Sequence, residues 1–236
     1  MYKATLYAIL WKEKIIFFRS TIGLVLFYFL LIVGANIYML SSYINDPSLN
    51  GYIENIIINN LIMLAPTVFM AIGSVIVSQS ISIDKREGIL KILLGNGTRS
   101  DIIWIGKYIF SVIICYIVLL ASVFVYLFGI RMLYDGYIVL STSNYVLIFV
   151  ILPIVSMLLL ALYAFIFWIT KNQTVQIFLS MFPAAIYLVS FYVSDYIIEK
   201  KVDTKIGVAI LVCSLSVLGV CILNKCVQKY DVEKLV

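Results

Sequence analysis

The chain has 236 residues, of which 64% are hydrophobic and only 12% are charged, and its formal net charge is +5. Soluble domains carry about 25% charged residues, so this composition excludes an ordinary water-soluble protein. The basic residues lie mainly beside apolar runs, where they set membrane orientation, so the positive charge does not indicate a nucleic-acid partner.

The first 20 residues combine four basic groups and one Glu with Trp11, Phe17 and Phe18. Trp and Lys anchor helices at the level of the lipid headgroups. The segment 1–20 is therefore interpreted either as an interfacial N-terminal helix or as a basic leader that only fixes topology.

Six apolar runs without Asp, Glu, Lys or Arg follow, and each approaches or exceeds the roughly 20 residues that span the hydrocarbon as a helix. Only helices or closed barrels satisfy the backbone in lipid, and these runs lack the alternation of barrel strands. The sequence predicts an all-α integral membrane protein, a single domain over residues 1–236 with six transmembrane helices: Thr21–Ile44, Ile56–Ile83, Tyr108–Ile130, Asn144–Thr170, Asn172–Ser194 and Ile206–Asn224.

Orientation follows from the 17 Lys and Arg residues. A cytoplasmic N-terminus and C-terminus put 13 of them inside and leave only Arg131, Lys200, Lys201 and Lys205 outside. Cytoplasmic segments carry the excess of basic residues, so this orientation is predicted for a multi-pass membrane protein.

The segment Asp84–Gly97, between the second and third runs, predicts a short amphipathic helix on the cytoplasmic face. At 3.6 residues per turn, one stripe is polar or small and the opposite face is apolar. Gly95 and Gly97 supply residues that end a helix. The polar stripe consists of Asp84, Glu87, Gly88, Lys91 and Gly95, and Ile89, Leu90 and Leu93 face away from it.

Missing residues exclude several activities. The chain has no His, and none of the six runs contains Asp or Glu, so the usual acids, bases and metal ligands of intramembrane catalysis or proton relay are lacking. Gly106-Lys107 is followed by Tyr108, without the spacing of an ATP-binding phosphate loop. No catalytic residue, metal site or cofactor is expected, and energy for transport would have to come from a partner.

The region from Asp84 to Lys107 resembles the membrane subunits of type-2 ABC exporters, a family that includes bacterial drug, polysaccharide and antimicrobial-peptide exporters. These permeases have six spans and, between the second and third, an acidic-basic run, then Gly-Thr-Leu-Glu, a Leu pair, a Pro and later Gly-Lys. This chain has Lys91 where the family usually has Glu, and Gly97 where it usually has Pro. The corresponding residues here are Asp84, Lys85, Arg86, Glu87, Gly88, Lys91, Gly106 and Lys107.

The resemblance implies a coupling helix at residues 84–97, which contacts a cytoplasmic ABC ATPase present in two copies. ATP and Mg would bind to that ATPase, so this chain itself is not an enzyme. Six spans amount to half a transporter, so the resemblance implies a second, identical permease subunit and a place in a bacterial cell membrane.

Small members without an outer domain export peptides or confer immunity to peptide antibiotics, so an amphipathic peptide or lipid-like cargo is expected. The polar groups within the runs either line the cargo path or bond between helices: Asn36, Asn59, Asn60 and Gln79. The alternative function is a membrane immunity or sensor protein that binds a peptide toxin without an ATPase.

Overall fold

The computed structural model describes residues 2–45, 53–134, 140–170 and 219–227, and every regular element within them is helical. Seven α-helices and two π-helical turns are arranged in chain order. They are α1 (Tyr2–Ile16), a first π turn (Phe17–Thr21), α2 (Ile22–Ile44), α3 (Ile53–Arg86), α4 (Ile89–Gly95), α5 (Ser100–Leu133), α6 (Thr142–Val146), a second π turn (Leu147–Ile151) and α7 (Leu152–Ile169). Residues 219–227 are also helical.

Four of these helical stretches are long and apolar enough to cross a membrane: Lys3–Ile44, Ile53–Arg86, Ser100–Leu133 and Thr142–Ile169. They contain the first three predicted spans and all of the fourth except Thr170, so those four predictions are confirmed as helices of spanning length. The fifth predicted span lies outside the described residues, and of the sixth only 219–224 is described, as helix.

Helix α3 forms the centre of the bundle, with α2, α5 and α7 packed around it. In its most apolar stretch 78% of the residues are buried, against 22–33% in the other three long helices. Gly73 allows this close approach, because a Cβ atom there would lie 2.8 Å from Leu160 of α7 and 3.0 Å from Cys115 of α5. Small residues at such crossings are typical of membrane helix bundles.

At one end of the bundle, several polar contacts join different helices of the described part of the chain. Helix α1 meets the end of α3 there through Lys12 and Asp84. The start of α5 meets the C-terminal helical segment, where the Ser100 hydroxyl donates to the Val227 carbonyl at 3.3 Å. The end of α7 is held at the same place by Lys85.

The N-terminal segment is helical and continues into α2 through the first π turn, and its location at the membrane interface stays a prediction. One face of α1 packs along α5, with Ile9 buried in the core. Its opposite face is exposed, and the uninterrupted helix from Lys3 to Ile44 has 42 residues, about 63 Å at 1.5 Å per residue.

Candidate functional site

The end of α3 and the short helix α4 meet at a corner. Helix α3 continues to Arg86, and Gly88 then adopts a left-handed conformation with φ of 70° before α4 begins. Glycine takes this conformation without steric cost. The single predicted helix 84–97 is therefore wrong: its first three residues belong to α3, and Gly88 separates them from α4.

A buried cluster of charged side chains lies just before this corner. Asp84 is 1% exposed and receives the ammonium groups of Lys12, at 2.5 Å, and of Lys107, at 2.6 Å. Lys107 also contacts Glu13 at 2.7 Å, and both are 2% exposed. These four residues, which we call the ion cluster, join α1, α3 and α5 and carry two positive and two negative charges.

Lys107 is fully satisfied within the ion cluster. Its ammonium group has three donors, and it finds three acceptors in Glu13, Asp84 and the Ser80 hydroxyl, the last at 2.6 Å. Ser80 in turn donates to the second oxygen of Glu13. Charge-assisted hydrogen bonds of this kind are the strongest in proteins, so the side chains are held in one arrangement.

Local sequence spacing aims these groups at one another. Ser80 and Asp84 are four residues apart on α3, and Ile9 and Glu13 are four apart on α1, so each pair shares a helix face. Gly106 lets α1 approach α5, because a Cβ atom there would lie 2.7 Å from the Ile9 side chain. The close approach at Gly106 thus brings Glu13 of α1 within reach of the ammonium group of Lys107, the next residue on α5.

Removing one member of a buried ion pair leaves an uncompensated charge and costs about 3–5 kcal/mol. The ion cluster is neutral as a whole, and each of its buried charges has at least one opposite partner within 2.7 Å. It therefore fixes how α1 and α5 sit against the end of α3.

Lys85 points to a different helix. Its ammonium group donates to the carbonyls of Phe167, Trp168 and Thr170 at 3.2, 2.8 and 2.9 Å. The last carbonyls of a helix have no partner within it, and a cation there also interacts favourably with the negative end of the helix dipole. Asp84 and Lys85 together tie the end of α3 to α1 and α5 on one side and to α7 on the other.

Helix α4 presents a mixed surface. Leu90 is buried at 2% exposure, and Leu93 and Leu94 pack against the core, so one face is fixed. The other face carries the exposed Lys91, and Ile92 is 62% exposed. Helix α4 ends at Gly95, and Gly97 just beyond it is left-handed with a φ of 76°, which confirms the predicted helix stop at Gly95-Asn96-Gly97.

The residues predicted to couple to an ATPase therefore fall into two groups, apart from Gly88, which is half-buried at the corner itself. Arg86, Glu87 and Lys91 are exposed. The prediction that Asp84 belongs to the exposed stripe is wrong, because this side chain is buried among lysines. Three others also contact the interior of the bundle instead of an outer stripe, and they are Lys85, Gly106 and Lys107.

The four polar residues predicted for a cargo path do not converge on one site. The Asn36 amide donates to the Ile32 carbonyl of its own helix at 2.7 Å. Asn60 lies beside the Tyr126 hydroxyl without a hydrogen bond of normal geometry. Asn59 and Gln79 are half-buried, and 20 positions along α3 separate them by about 30 Å.

Sequence reasoning missed Lys12, Glu13 and Ser80 as members of the site. Glu13 carried the available signal, because it is the only acidic residue among residues 1–44 and lies between two lysines next to a predicted span. A carboxylate at such a place faces the protein interior and pairs with a cation. Among the described residues, no group of three or more His, Cys, Asp or Glu side chains is placed to hold a metal.

No family model, curated protein or solved structure matches this chain.

Proposed function

We propose that this chain is the permease subunit of an ATP-driven exporter of the type-2 ABC class. In this proposal the chain spans the membrane six times with both ends in the cytoplasm. A separate cytoplasmic ATPase binds ATP and Mg, and two permease subunits form the path for an amphipathic peptide or lipid-like cargo.

The observation that carries the proposal is the contrast in how α4 and the end of α3 are held. The short helix α4 exposes Lys91 and Ile92 on its outer face. Immediately before it, Asp84 and Lys85 are bonded to α1, α5 and α7. A force applied to α4 by a partner would therefore reach three other helices through two adjacent residues.

The contacts at one end of the bundle also support a shared cytoplasmic side. The Lys12–Asp84, Lys85–Thr170 and Ser100–Val227 contacts bring together α1, the corner, the end of α7 and the C-terminal segment. These are the regions that the excess of basic residues assigns to the cytoplasm.

The exposed charges of the corner suit a protein partner. Arg86, Glu87 and Lys91 lie within six residues of one another and carry both signs. Charge patterns at an interface fix its register and select the partner more than they add affinity. The exposed Ile92, next to Lys91, offers the partner an apolar contact beside these charges.

The experiment that tests the proposal uses a photo-crosslinking amino acid at Ile92 in cells of the native host. The expected product is a covalent adduct with a soluble ATPase that contains a phosphate-binding loop. ATP turnover by that ATPase should rise when it is reconstituted with this chain. Tyr38, 75% exposed on α2 at the other end of the bundle, provides the control position and should give no such adduct.

Topology is tested by labelling single cysteines with a membrane-impermeant thiol reagent in intact cells. A cysteine at Lys91 should stay unlabelled, whereas one introduced near Tyr137 should react. The reverse pattern would contradict the orientation. Tight binding of a peptide toxin by the purified chain, with no ATPase crosslinked at Ile92, would instead establish the immunity or sensor function.

A further inference from the structure

We propose that the outward face of α1 and the first π turn is a binding surface for anionic phospholipid of the surrounding membrane. This surface, the α1 face, consists of Tyr7, Trp11, Lys14, Ile15, Phe18 and Arg19, all exposed. The inference goes beyond the proposed function, because it concerns the lipid and does not depend on an ATPase.

Helix α1 is amphipathic, but its orientation is the reverse of that in a water-soluble protein: its acidic side chain faces the protein and its aromatic side chains face outward. Its charged Glu13 points into the protein and is 2% exposed. Its outward side carries large aromatic side chains among the cations, with Tyr7 73% and Trp11 64% exposed, and Phe18 in the π turn is 58% exposed. In water this arrangement would expose a contiguous apolar patch, whereas in a membrane it directs the ion pair inward and the apolar side chains to lipid.

The amino acids of the α1 face identify the depth at which it lies. Trp, Tyr, Lys and Arg side chains concentrate at the boundary between headgroups and hydrocarbon. Helix α2 has 23 residues, about 35 Å, which is enough to cross a hydrocarbon layer of roughly 30 Å. The π turn and the end of α1 therefore begin where the headgroups begin.

Charge selects the lipid. Lys3, Lys14 and Arg19 are exposed, and Lys14 lies 5.2 Å from the centre of the Trp11 ring. The only acidic residue of the segment, Glu13, is neutralised internally by Lys107. The outer side of α1 is thus purely cationic, and each cation close to a membrane surface favours anionic lipid by about 1 kcal/mol, or about fivefold.

The chain offers a built-in probe for this test. It has three Trp residues, and Trp104 and Trp168 are 1% and 0% exposed, so Trp11 is the only exposed one. The full chain is placed in nanodiscs of phosphatidylcholine and phosphatidylglycerol at a fixed ratio. Either the first or the second lipid carries the bromine that quenches Trp fluorescence, and the Trp11→Phe variant gives the signal to be subtracted.

We expect brominated phosphatidylglycerol to quench Trp11 as if locally enriched about fivefold or more over its bulk fraction. The variant Lys3→Gln, Lys14→Gln, Arg19→Gln should reduce this enrichment to none while the quenching by phosphatidylcholine persists. A matched triple, Arg86→Gln, Lys91→Gln, Arg131→Gln, removes three exposed cations elsewhere and should leave the enrichment unchanged.

Three outcomes would overturn the proposal. Equal quenching by both lipids at equal fractions would show contact without preference for anionic headgroups. Trp11 that is quenched by aqueous acrylamide but by neither lipid would show that the α1 face is in water. Trp11 protected from both would show that another protein or a second copy of the chain covers it.

Discussion

Asp84 and Glu87 are carboxylates three residues apart, and their surroundings are opposite. Asp84 lies in the interior between two ammonium groups, whereas Glu87 is exposed after the last turn of α3. Beyond Arg86 the chain leaves α3 and turns at the left-handed Gly88, so an anchored part, Asp84 and Lys85, is followed by an outer part whose exposed side chains include Glu87 and Lys91. One short segment thus contains both side chains that are bonded inside the bundle and side chains that are exposed. The same substitution is therefore expected to change stability in the first part and partner binding in the second.

The largest effect is expected from Asp84→Lys, which puts a third cation beside Lys12 and Lys107. The free energy of unfolding should fall by about 3–5 kcal/mol or more, because a buried pair is replaced by like charges. Melting temperature and monodisperse yield in detergent measure this change.

The control for this prediction restores the charge balance. The pair Lys12→Met, Asp84→Asn removes one charge of each sign and leaves the contact between Glu13 and Lys107 intact, so it should recover most of the stability that Asp84→Asn alone loses. If Asp84→Lys melts like the wild-type protein, the ion cluster does not hold these helices together.

An intermediate effect is expected from Lys85→Met, which keeps most of the apolar stem and removes the cation from the end of α7. The loss should be about 1–2 kcal/mol, the upper range for a cation at a helix terminus. Hydrogen exchange of the amides of residues 166–170 measures it locally and should accelerate. Arg86→Met, at the exposed neighbouring position, is the matched control. Equal exchange rates in the two variants would show that Lys85 does not stabilise the end of α7.

The smallest effect on stability is expected from Glu87→Lys, the same charge reversal made three residues later. Exposed substitutions stay within about 0.5 kcal/mol, so melting temperature and membrane abundance should match the wild-type protein. Stimulation of the ATPase that the proposed function requires should nevertheless fall, since a mismatched charge at an interface costs several kcal/mol. A variant that loses abundance as Asp84→Lys does would contradict the division at Gly88.

The sequence predicts the long helices well because hydrophobicity alone determines them. Thr21–Ile44 became Ile22–Ile44, and Asn144–Thr170 falls almost entirely within Thr142–Ile169. The helix stop at Gly97 was also predictable, because glycine is the usual residue at that position.

The ion cluster could not be predicted in full, because its partners are distant in the chain. Lys107 and Glu13 are separated by 94 positions, and no helical periodicity connects them. A helical wheel drawn through residues 84–97 assumes one continuous helix. Because the left-handed Gly88 interrupts that helix, the wheel placed Asp84 on the wrong surface. The resemblance did single out both Asp84 and Lys107, but it did not indicate that they are in contact.

The first π turn sets the rotational register between α1 and α2. Ile9, Glu13, Phe17, Thr21 and Val25 are all buried, although a spacing of four drifts by about 40° per step at 100° per residue. The wider π turn absorbs part of this drift, and such turns arise from one extra residue in a helix. Inserting a further residue into 17–21, with no wider turn to absorb it, would rotate α1 by about 100° against α2, so that Glu13 would turn away from its partners and the aromatic side chains would face a different neighbour.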